Sequence, residues 1–137
     1  MKQPKLALLA ILPLLSGCLI EHTTDGDGVS ANQSGDIPVP SGMQLKDKLH
    51  ESNTSVNGDY RFENLVYEGK TPPMAVSAFL LDRMPQHSHH LVSKSKKDDD
   101  CEVLVFKRGR YTSECTVRRL EFTTLLEIKV RTDLKLP

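Results

Sequence analysis

Between Phe122 and Arg131 the side chains alternate with a period of two. Phe122, Thr124, Leu126, Ile128 and Val130 fall on one side, Thr123, Glu127, Lys129 and Arg131 on the other, and Leu125 alone breaks the rule. This is the pattern of an extended strand with one buried and one wet face. A lone strand cannot shield its apolar side, so the rest of the chain must supply a sheet. Leu91–Ser95, Glu102–Phe106 and Tyr111–Leu120 read as further strands. So does Tyr60–Tyr67, where apolar and polar residues alternate at the start. Met43–His50 reads as a short first strand, and Ser52–Gly58 as polar, turn-forming sequence. Pro72–Met84 has helical spacing: Thr71 suits the N-cap and Pro72 the first turn. Ala75, Ala78, Phe79 and Asp82 lie along one side with Val76, Leu80 and Arg83 alongside, giving an apolar stripe centred on Phe79 that Pro85 closes. Short polar links between the strands imply antiparallel pairing. The expected fold is α+β: one mostly antiparallel sheet of about six strands, in the order ββαββββ, with a single helix packed on one face.

The chain ahead of this domain carries a different kind of signal. Lys2 and Lys5 precede an apolar run from Leu6 to Leu15, which is too short to span a bilayer and matches the core of an export signal. Leu15-Ser16-Gly17-Cys18 follows. In this order the segments resemble the lipobox of bacterial lipoproteins. The resemblance implies cleavage of residues 1–17 as a signal peptide, lipidation of Cys18 with acyl chains such as palmitate, and a place in the cell envelope. The other reading of the same residues is an ordinary secretory signal that leaves Cys18 as a free thiol. Two or three acyl chains anchor stably where one does not. Leu19 stands where an inner-membrane retention aspartate would, so the resemblance favours the outer membrane.

Residues 19–36 hold Gly26, Gly28 and Gly35 among Ser, Thr, Asn and Asp, and read as a flexible tether with an end-to-end distance of about 25 Å. Asp25-Gly26-Asp27-Gly28 starts like a calcium loop ending at Asp36, but Val29 and Ser30 stand where a ligand and a glycine are needed. The domain is expected at 37–137, where Pro38 and Pro40 impose an extended path.

Within that domain, Val39-Pro40-Ser41-Gly42, Tyr67-Glu68-Gly69 and the run from Phe79 through Met84-Pro85 to Leu91 resemble a V-P-x-P-x-G, Y-x-G and M-P-x-x-G-W pattern of small bacterial lipoproteins. Ser88 stands in place of the glycine and His89 in place of the tryptophan. The resemblance implies the same α+β fold and brings no catalytic residues or cofactor with it.

Removal of residues 1–17 takes away Lys2 and Lys5 and leaves 16 basic against 18 acidic residues. That balance argues against a nucleic-acid partner, and four Phe, three Tyr and no Trp make a stacking platform for bases improbable. Three clusters remain. His87, His89 and His90 are either candidate metal ligands, if the chain turns suitably after Pro85, or an exposed polar loop in which His89 partly replaces an aromatic plug. Cys101 and Cys115 are candidates for a disulfide. A three-residue hairpin loop at Lys107-Arg108-Gly109 sets them opposite one another, while a two-residue loop moves them one step apart. Lys107, Arg108, Arg110, Arg118 and Arg119 form a basic group near the same hairpin, suited either to anionic lipid or to a solvated tip balanced by Glu102, Glu114 and Glu121. No nucleophile, zinc-protease or phosphate-loop motif occurs. The expectation is therefore a non-enzymatic module without a cofactor, whose partners are the membrane, through its anchor, and an unidentified protein or envelope component.

Overall fold

The computed structural model describes residues 35–46 and 51–134. The export segment, Cys18, the calcium-like pattern except its last position Asp36, nearly all of the tether and His50 lie outside the described residues.

Among the described residues there are seven strands and one α-helix, with every strand pairing antiparallel: β1 (Met43–Leu45), β2 (Asn53–Asn57), β3 (Tyr60–Gly69), α1 (Pro73–Arg83), β4 (His90–Asp98), β5 (Cys101–Arg108), β6 (Tyr111–Arg119) and β7 (Thr124–Thr132). The sheet runs β1-β3-β7-β6-β5-β4, and β2 shares the outer edge of β3 with β1. The fold is thus α+β as expected, with an extra strand. The order is βββαββββ because 53–57, read as a turn, is β2. Its five residues are all exposed, so no apolar alternation marks it. What makes it a strand is its hairpin with β3 across Gly58-Asp59, where Gly58 adopts a positive φ of 56°.

β7 buries Thr124, Leu126, Ile128 and Val130 as its alternation requires, whereas Phe122 lies in the preceding turn, 84% exposed. The helix packs over β6 and β7. Its buried stripe is Val76, Ser77 and Leu80, continued by Met84, so the centre falls on Leu80 and not Phe79. Pro72, not Thr71, occupies the N-cap, because the Thr71 hydroxyl instead donates to the Ser41 carbonyl. A 3-10 helix, Met84–His87, follows at Pro85. Among the described residues no helix is long and apolar enough to cross a membrane.

The segments resembling lipoprotein domains meet in space. Met43 pairs with Gly69, and a Cβ at Gly69 would collide with the Gly42 carbonyl oxygen, so the glycine of Y-x-G makes room for the turn that ends V-P-x-P-x-G. Ser88, in the glycine position, is the one non-glycine among the described residues with positive φ, at 64°. His89, in the tryptophan position, fills a core site and is 1% exposed.

The face of the sheet away from the helix is mixed, with Tyr60, Phe62 and Val105 among charged side chains. Glu114 on β6 lies opposite Lys129 on β7, Lys129 also pairs with Glu127 at 3.0 Å, and Arg118 and Arg131 share that side. β4 is an edge strand exposed along its whole length, with register shifts at Leu91/Ser93 and Lys96/Asp98. Its irregular course and its Lys94, Lys96 and Lys97 discourage edge-to-edge pairing. The charge run does not separate two strands: it continues β4 to Asp98, whose carboxylate accepts the Asp100 N–H to shape the turn into β5.

Candidate functional site

On the core side of β3, alternation would put apolar residues inward throughout, and from Leu65 onward it does, with Leu65 and Tyr67 buried. At the strand's beginning the inward residues are Arg61 and Glu63, and the aromatic residues Tyr60 and Phe62 point to the other face. A charged pair can face a core only if its hydrogen bonds are satisfied.

The partner is Asp36, the last residue of the expected tether, which the structure instead joins to the fold. Arg61 donates through Nη1 to Asp36 Oδ2 at 3.0 Å and through Nη2 to Oδ1 at 2.7 Å, the two-pronged geometry that suits a planar guanidinium. Arg61 Nη2 also reaches Glu63 Oε2 at 2.9 Å. From β5, Arg108 Nη1 adds a third contact to Asp36 Oδ2 at 2.7 Å. Burial by itself would raise the Asp36 carboxyl; His89, Arg61 and Arg108 outweigh it and hold the group well below the usual carboxylate range.

His89 completes the cluster from the connection between the 3-10 helix and β4. Its Nε2 lies 3.5 Å from Asp36 Oδ2, too far for a good hydrogen bond, and neither ring nitrogen has a hydrogen-bond partner. Ser113, buried on β6 between Phe106 and Val130, likewise has an unpartnered Oγ. The tether end of the core thus contains a clamp of fixed charges and two unsatisfied polar side chains.

The sequence-predicted clusters fare differently. His87 and His90 are exposed while His89 turns inward, so the three imidazoles do not converge. Among the described residues no group of three His, Cys, Asp or Glu is placed to hold a metal ion. The Cys101–Cys115 bridge is corrected by the hairpin register. The loop is Gly109-Arg110, so Arg108 pairs with Tyr111, Cys115 with Leu104 and Cys101 with Arg118. This moves the thiols three positions out of register and onto opposite faces of the sheet. Both are free and buried, and burial, with the Glu114 charge, pushes the Cys115 thiol up to about 12. The basic group is dispersed, and the acids that balance it are not the three glutamates expected. Lys107 pairs with Asp133 at 2.7 Å, Arg108 with Asp36, Arg110 with Asp59 at 3.0 Å and Arg119 with Asp100 at 3.4 Å.

No family model, curated protein or solved structure matches the chain. Its role must therefore be argued from its own residues. Chemically the clamp is a poor catalyst: a carboxylate gripped by two guanidinium groups is a weak base. Mechanically it is apt, because it locks Asp36, near the start of the described residues, to two strands, β3 and β5. Sequence reasoning passed over Arg61 and Glu63 and weighed Asp36 only as the last position of a calcium loop. The available signal was the polar half of the Tyr60–Glu63 alternation, which gains meaning only once Asp36 is known to lie against it.

Proposed function

We propose that this protein is a lipid-anchored module of the bacterial cell envelope, exported by residues 1–17, acylated at Cys18, and acting non-enzymatically by holding a binding domain at a membrane surface. The observation that carries the proposal is the ordered series Lys2/Lys5, Leu6–Leu15 and Leu15-Ser16-Gly17-Cys18, since each part is placed as a lipoprotein export signal requires. The clamp at Asp36 supports it, because an anchor positions a domain only when the tether's far end is firmly attached.

Cell fractionation with an alkyne-palmitate label tests the anchor. The native chain is expected in the membrane fraction carrying label, and Cys18→Ser is expected to lose both. A Cys18→Ser chain that still sediments with membranes overturns the acylated anchor. Crosslinking in intact envelopes then tests the binding role: a reproducible partner that is lost when the domain is unfolded by a buried charge, Leu126→Asp, supports it, and a crosslink pattern indifferent to that substitution removes it.

A further inference from the structure

Resting on the reading that Cys18 is acylated, we infer that the tether end of the sheet is a second, non-covalent membrane contact, seated on the anionic headgroup surface that holds the acyl chains. The chain between anchor and fold, residues 19–35, enters the domain at Asp36, which Arg61 and Arg108 fix to one end of the sheet. A tether of this composition spans about 25 Å on average, and a ten-residue strand such as β3 is roughly 33 Å long. The end bearing Asp36 is therefore held nearer the bilayer than the end bearing Gly69.

That near end has the chemistry of a headgroup contact. Tyr60 and Phe62 are 46% and 41% exposed on its open face, next to Arg131, which lies opposite Phe62. A cleft of about 660 Å3 beside them is lined by Lys107, Gly109, Arg110, Thr132, Asp133 and the exposed Leu134. Lys107 and Arg110 are half-exposed, and their acid partners Asp133 and Asp59 lie on the same surface, so headgroup phosphates would share these cations with existing carboxylates. Aromatic and cationic side chains together suit the interfacial zone of a bilayer. The opposite end also exposes apolar side chains, Met74 and Phe122, and mixes Asp98, Asp99, Asp100 and Glu121 with Lys96, Lys97 and Arg119, so the point where the chain enters the fold at Asp36 decides between the two ends.

The test uses the acylated full-length chain in vesicles of phosphatidylcholine and phosphatidylglycerol that contain nitroxide-labelled lipid. A fluorophore is placed through Val56→Cys at the tether end or Asp99→Cys at the opposite end; acylation blocks Cys18, and Cys101 and Cys115 are buried. Quenching is expected to be several-fold stronger at position 56 than at 99. The difference should shrink when Tyr60→Ser, Phe62→Ser, Lys107→Glu and Arg131→Glu are combined. Equal quenching at the two positions, in a chain whose mass includes the acyl groups, overturns the contact and leaves the anchor standing. A difference unchanged by the combined substitutions also overturns it, since the tether alone would then set the orientation. A chain without acyl mass on Cys18 overturns the anchor and, with it, this inference.

Discussion

The two ends of the core are built on different physics. Toward Gly69 the sheet meets the helix through apolar side chains: Tyr67, Leu126 and Val117 pack with Val76, Leu80, Val39 and Met43. Toward the other end β3 and β6 turn Arg61, Glu63 and Ser113 inward, the half-exposed Arg108 reaches over from β5, and the chain meets them with Asp36 and His89. The apolar end gains from every methylene removed from water and needs no special geometry. The polar end gains only when each charge is paired, and its unpaired groups carry a desolvation penalty. The first end holds the fold together, and the second fixes the segment that carries Asp36 to the sheet.

Substitutions that act on one end alone can break this contrast. The largest effect is expected from Leu126→Ala, which leaves a cavity where the side chain is fully buried and should cost about 3 kcal/mol in urea denaturation. Asp36→Asn should cost somewhat less, about 2 kcal/mol, because the clamp it breaks is only partly buried. Its signature is pH dependence. A carboxyl held low in the folded state contributes fully above the unfolded aspartate value of about 3.9, and the contribution fades as pH falls toward the lower folded value. The gap between native and Asp36→Asn stabilities should therefore be constant from neutrality to about pH 5 and narrow below about pH 4. A gap that widens in acid would show that the clamp is not electrostatic.

Smaller effects sharpen the picture at His89. His89→Phe keeps a ring of similar shape and removes two unpartnered nitrogens, so it is expected to stabilise by about 1 kcal/mol. A loss of similar size would mean that the 3.5 Å approach to Asp36 contributes more than the orphaned nitrogens cost. Ser88→Gly should give the smallest gain, about 0.5 kcal/mol by thermal melting, because glycine adopts the positive φ without Cβ strain but loses more chain entropy on folding.

Much of the apolar end was legible in the order of residues. The β7 alternation marks its own buried face, the helix stops at the Met84-Pro85 step, and the four-stranded run from β4 to β7 follows from short polar links. The helix stripe shifted by one residue because Phe79 is the larger side chain, whereas the face that meets the sheet runs through Val76, Leu80 and Met84. β2 was hidden because an exposed edge strand needs no apolar residues. The clamp was hidden for a different reason: Asp36 lies 25 residues from Arg61 and 72 from Arg108, and no local pattern links positions so far apart.

By itself the sequence determined the elements whose physics is local: strands by alternation and a helix by its spacing and prolines. The tertiary structure decided whatever depends on register and distant partners. A hairpin loop at Gly109-Arg110, one residue shorter than the expected Lys107-Arg108-Gly109 and centred further along the chain, separates the two buried thiols, and the inward turn of His89 keeps the histidines apart. The same long-range packing brings Asp36 between two arginines and fixes it to β3 and β5. Such outcomes follow from side chains meeting across the fold, where one residue of register exchanges one face for the other.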